Sequence, residues 1–165
     1  MSDSIPERIA LELIDRLENI TTVNGYIFNV ASVDRMTKES LDGWTPKNLA
    51  IAVVQDDELP NDEHTHAGNP AAMAYDVTFN LHGFVRPSDH ATETFSSTEN
   101  AMVAAIKKAV VNNDTSWQTF GGISILADWV TTSPFQSPEG DHRGVTVSLV
   151  VTYRISETDP FTPRA

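Results

Sequence analysis

The stretch Val145-Thr-Val-Ser-Leu-Val-Val-Thr-Tyr-Arg-Ile155 decides the fold. Val145, Val147, Leu149, Val151, Tyr153 and Ile155 share one side of an extended chain, and Thr146, Ser148, Thr152 and Arg154 share the other, with Val150 the apolar exception. A period of two sustained over a run rich in β-branched residues predicts a strand with one buried face. Tyr75-Asp-Val-Thr-Phe-Asn-Leu-His-Gly-Phe-Val85 repeats the pattern, with Tyr75, Val77, Phe79, Leu81 and Val85 on one side and Asp76, Thr78, Asn80 and His82 on the other. Two half-apolar strands call for a shared sheet and for helices to cover its apolar face.

Two stretches can supply those helices. Ser4-Ile-Pro-Glu7 has capping-box spacing, with Pro6 tolerated in the first turn. Ile5, Ile9, Leu13, Leu17 and Ile20 then fall on one helical face, and the helix is expected to end near Ile20. Leu11 lies off that stripe. Ser96 with Glu99 opens a second helix, striped by Met102, Val103, Ile106, Ala109 and Val110 and closed by Asn112-Asn113-Asp114. Both stripes are expected to pack on Tyr75, Phe79, Leu149 and Val151.

Further strands are predicted over Tyr26 to Val33 and over Ile123 to Val130, the latter opened by Gly121-Gly122 and facing inward through Ile125, Ala127 and Trp129. Leu49 to Val54 is apolar on both faces, which predicts a central strand. Polar loops are expected over Met36 to Asn48, over the acidic and histidine-bearing Asp56 to Pro70, and over Thr131 to Arg143. The residues from 157 to 165 read as an extended tail too short to fold alone. The expectation is one α+β domain over 1–165, a mostly antiparallel sheet with two amphipathic helices packed on it, in the order α-β-β-β-α-β-β.

The bulk numbers narrow the function classes. The chain has 165 residues, no cysteine and a net charge of −12. Thiolate metal sites and disulfides are thereby excluded. An acid surplus opposes general affinity for a phosphate backbone. No apolar run approaches the length that crosses a bilayer, and the acidic N-terminus carries no basic region, so neither a membrane span nor a signal peptide is expected.

Candidate chemistry is sparse. His64-Thr-His66 beside Asp56, Asp57, Glu58, Asp62 and Glu63 has the residue types of a divalent-metal site, and equally those of a solvated loop. His82, on the polar face of its strand, points to a cross-strand hydrogen bond. Asp141-His142 with Ser137 or Ser148 would act as a nucleophilic set only in a specific geometry that sequence does not define, and no G-x-S-x-G, H-E-x-x-H or P-loop occurs. Gly121-Gly122 reads as a turn into a strand rather than a dinucleotide loop. Trp44 and Trp117 read as packing residues, with burial at an interface the alternative.

The sequence of features has a familiar order. A short amphipathic helix leads into Asn24-Gly25-Tyr26, and a β-rich centre and a mid-chain helix follow. Gly121-Gly122, a last strand ending Val151-Thr-Tyr-Arg154 and then Asp159-Pro160 complete it. Over nearly its whole length the chain resembles the tail terminator, or tail completion, proteins of long-tailed bacteriophages and related minor tail proteins. The resemblance rests on order and spacing. It implies an α+β subunit of a hexameric ring that caps the head-proximal end of the tail tube, stops tube polymerisation and offers a docking surface to the head connector. It implies no active site, no cofactor and no metal, with assembly in the host cytoplasm and a final place in the tail or neck of the virion. The implied partners are further copies of the chain, the tail tube protein and a connector or neck protein, with DNA passing the channel without specific binding. On that reading Leu11, Trp44, Phe135 and Phe161 are candidate interface residues, and Asp56, Asp57, Glu58, Asp62 and Glu63 candidate channel-lining acids. A different neck or head-completion protein is the nearest alternative, and a small metal-dependent enzyme using His64 and His66 the next.

Overall fold

The computed structural model describes residues 3–44, 48–68, 71–85, 97–112, 116–136 and 143–164, with the backbone alone of 135 and 136. Among these, six strands form one sheet: β1 (Ser32–Met36), β2 (Ala50–Pro60), β3 (Ala72–Val85), β4 (Leu126–Gln136), β5 (Arg143–Ser156) and β6 (Asp159–Pro163). The helices are α1 (Ile5–Glu18), α2 (Lys38–Leu41) and α3 (Ser97–Val111). The α+β class and the mostly antiparallel sheet are as the alternation implied.

β5 is the pivot. It pairs with β3 along its whole length, from Ala72 opposite Ser156 to Val85 opposite Arg143. Its other edge is taken by β4 as far as Thr152 and then by β6 at Ile155 and Ser156. The sheet order is β1-β2-β3-β5-β4, and β1–β2 is the parallel pair. That pair requires a crossover, which the segment holding α2 provides.

The expected burial on β5 is met over most of its length: Val145, Val147, Leu149 and Val151 are fully buried and Tyr153 nearly so, while Ile155 is only partly buried. They form one cluster with Val77, Phe79 and Leu81 of β3, with Ile5, Ile9, Leu13 and Leu17 of α1, and with Met102, Ile106, Ala109 and Val110 of α3. Ser4 caps α1, its side chain accepting from the Glu7 amide. Arg16 ties the two helices together. Its guanidinium donates to the Val110 carbonyl at 2.6 Å and to Glu12 at 2.8 Å, and lies over the Phe120 ring. β2 is central as predicted, and it serves two cores. Ile51 and Val53 join the main cluster, while Ala52 and Val54 join Phe84, Met36, Leu41 and Trp44 on the opposite face.

Several expectations are corrected. Tyr26 to Ala31 is irregular, and the strand starts only at Ser32. Local side-chain bonds take the backbone groups that a ladder would use: Asn29 Oδ1 accepts from the Thr22 amide and Thr21 Oγ1 from the Asn24 amide, while Gly25 sits at φ 79°. Tyr26, Phe28 and Val30 still pack partly on the core. β2 continues through the first residues of the expected acidic loop, and β4 starts later than Ile123 and runs on to Gln136. Pro134 is tolerated there because β4 is an edge strand. The polar loop before β2 contains the short α2, capped by Thr37. The tail folds back on β5 as β6, with the Arg164 amide donating to the Arg154 carbonyl. Asn112 closes α3 at φ 46°, a left-handed cap. Ser96, Asn113 and Asp114 lie outside the described residues.

Candidate functional site

The five candidate acids start on β2, where the ladder is interrupted. Gln55 faces Phe79 and Glu58 faces Val77, so Asp56 and Asp57 together oppose Thr78. This bulge turns neighbouring carboxylates to different duties. Asp56 pairs with Lys38 and accepts from Asn80 Nδ2 at 3.0 Å. The Lys38 ammonium, above all, holds its carboxyl below the usual carboxylate range. Glu58 accepts from the Tyr153 hydroxyl at 2.8 Å. Burial, and then that bond, pushes the Tyr153 phenol above its ordinary range. Asp56 and Glu58 are thus engaged inside the subunit. Asp57, Asp62 and Glu63 are exposed, as is Glu58 despite its bond to Tyr153.

The histidine loop is knitted by polar contacts. Asn61 Nδ2 reaches both Asp76 carboxylate oxygens at 3.0 Å, and Asn61 Oδ1 accepts from the His64 amide. Thr65 Oγ1 donates to the Asn61 carbonyl and accepts from the Ala74 amide. Arg154 Nε donates to the His64 carbonyl at 2.7 Å, and His66 forms a bridge with Ala72. Among the described residues no group of three or more His, Asp or Glu side chains is placed to hold a metal ion.

The sheet face away from α1 and α3 carries a polar ladder between β3 and β5. Thr152 donates to Asp76 at 2.6 Å, Ser148 donates to Asn80 at 2.6 Å, and His82 Nδ1 lies 2.9 Å from Thr146 Oγ1. The cross-strand role expected of His82 is therefore present, and Ser148 is committed to the same ladder. Burial lowers the His82 pKa, with Asp56 opposing. A cleft of about 680 Å³ lies where α1, β1, α2 and β2 meet, lined by Glu7, Arg35, Lys38, Gln55, Asp56 and Asp57 among others. Its cations are occupied: Arg35 binds Gln55 at 2.9 Å and Glu7 at 3.4 Å, and Lys38 binds Asp56.

The candidate contact residues separate. Leu11 on α1 and Phe161 on β6 are exposed. Trp44 is partly buried and meets Phe84 edge-on at 4.7 Å, so its packing is internal. Trp117 stacks on Trp129 at 5.7 Å. The Phe135 side chain, Ser137 and Asp141-His142 lie outside the described residues. Sequence reading missed the most exposed apolar side chains, Val23 at 92%, Ile27 at 79% and Leu59 at 62%. Val23 stands outside any periodic run, Ile27 fell within the strand expected over Tyr26 to Val33, and Leu59 fell in an expected loop.

No protein-family model matches the chain, and no curated protein matches it.

Proposed function

We propose that this chain is a structural virion protein, a ring-forming tail terminator that caps the head-proximal end of a phage tail tube. The observation that carries the reading is where its uncovered apolar side chains lie. Val23 and Ile27 are exposed in the loop after α1, and Leu59, Met73 and Phe161 at the far end of the sheet, with Leu11 on α1 and Val130 on β4 exposed as well. A closed ring needs two different patches on each copy, one meeting the other on the next copy. Large apolar groups left in water at two separate places suit that requirement. The polar groups offer a catalytic reading less support: the His64 loop, the β3–β5 ladder and the Arg35 cleft are all tied into the fold.

In this role the ring stops tube growth by presenting a tube-like contact on one face and none on the other. The head connector or a neck protein docks on that second face. A net charge of −12 per subunit keeps passing DNA off the channel wall. Native mass measurement of the purified protein, alone and with tail tubes, tests the reading. A closed species of six copies is expected. A monomer under all conditions contradicts it, and a ring that binds a connector but not a tube end moves the assignment to another neck protein.

A further inference from the structure

Among the described residues, the two ends of β2 present different side chains. The loop holding Val23 and Ile27 is fixed at the start of β2: the Val30 amide donates to the Ile20 carbonyl, and the Ala31 amide to the Leu49 carbonyl. There Ile27 borders a shallow groove of about 160 Å³, floored by Ala101, Ala104 and Ala105 of α3 and by Tyr26. Lys108 is the charged residue lining it. Its ammonium donates to the Gly25 carbonyl at 2.9 Å and lies 4.2 Å from the Tyr26 ring centre. Among the described residues neither Lys108 nor its neighbour Lys107 is in an ion pair.

Leu59 stands at the other end of β2, exposed, within the run Asp57-Glu-Leu-Pro-Asn-Asp-Glu63. It is an apolar knob set among carboxylates. The groove is an apolar recess with an ammonium at its rim. Eleven residues of β2 separate the two ends, roughly 30 Å of extended chain. One copy therefore cannot bring its own Leu59 to its own groove.

We propose that Leu59 of one copy seats in the groove between residues 25–27 and α3 of the next copy, with Asp57 and Asp62 beside Lys108. The inference rests on the ring reading and names the contact that builds the ring. It is heterologous, because each copy offers a knob at one end and a recess at the other. On a chain of net charge −12 two copies repel at long range, so a lysine with no carboxylate partner among the described residues, at an apolar recess, marks where an acidic surface can be received. Asp57 and Asp62 then belong to the contact between subunits rather than to the channel wall.

The test uses the full-length protein and charge exchange. Lys108→Glu in one variant, and Asp57→Lys with Asp62→Lys in another, are each expected to raise the dissociation constant between copies by about tenfold or more. An equimolar mixture of the two is expected to recover assembly, because alternating copies then match acid to base at every contact. Ala104→Glu, at an exposed position on α3, is expected to block assembly alone and in any mixture. Sedimentation velocity at rising salt reads association, and thermal melts confirm that each variant folds. Charge variants that assemble like the parent, or a mixture no better than its components, overturn the contact. If the parent forms rings and caps tubes in either of those cases, the ring reading survives. If the parent itself neither associates nor caps tubes, both fall.

Discussion

Replacing Leu149 and Val150 separately by alanine tests the packing of the sheet. The two residues are adjacent on β5 and point to opposite faces. Leu149 is 0% exposed, aligned between Phe79 of β3 and Trp129 of β4, within the cluster that contains α1 and α3. Truncation to alanine removes buried carbon worth about 2–2.5 kcal/mol of transfer free energy. Phe79 is held by β-ladders on both sides and cannot follow into the space, so an unrelaxed cavity adds to the loss. The total is about 3–5 kcal/mol. For a chain of this size that lowers the melting midpoint by about 6–20 °C. Val150 is half-buried on the opposite face, and Val150→Ala is expected to cost less than about 1 kcal/mol. Denaturant titration at a fixed protein concentration measures both, since association also contributes to apparent stability. Equal losses at the two positions, or a loss below about 1 kcal/mol at Leu149, would refute the assignment of faces.

Three further outcomes follow from single contacts. The Glu99 carboxylate, nearly fully buried in the first turn of α3, lies 3.2 Å from Arg143 Nε at the start of β5. Glu99→Ala is expected to cost about 3–5 kcal/mol, and a double-mutant cycle with Arg143→Ala should show the two losses to be strongly non-additive; additive losses would dismiss the pair. The Tyr153 phenol is raised above its ordinary value of 10.0, chiefly by burial. The unfolded chain therefore releases that proton first, and the stability present below pH 10 is lost as the pH rises further; a Tyr153→Phe chain with the same alkaline slope as the parent would contradict this. The His82 pKa is lowered from 6.5 by burial. The unfolded chain therefore takes up its proton first, and stability falls as the pH drops below 6.5. His82→Gln should flatten that fall, and an unchanged acid limb would remove His82 as its source.

What was legible follows the range of the forces involved. The end of β3 at Val85 and most of the buried face of β5 were readable because alternation is encoded within each strand. The His82 bond followed from its side of β3. Tyr26 to Val33 carries the same alternation, yet Thr21, Asn29 and Gly25 bend the backbone before a ladder can form. Pro134 suggested a loop, but an edge strand has a side on which no amide is needed. The engagement of Asp56 with Lys38 and of Glu58 with Tyr153 depends on the β2 bulge, a property of two strands in register rather than of either alone. Val23 gave no signal, because a single apolar residue in a short loop has no period, and Ile27 was read into a strand that does not form.

The most direct test of the terminator assignment is to add the purified protein to tail tubes that are still growing and to measure tube length by electron microscopy. The account predicts tubes that stop growing, each carrying a single ring at one end. Tubes that continue to lengthen with no ring at either end would contradict it.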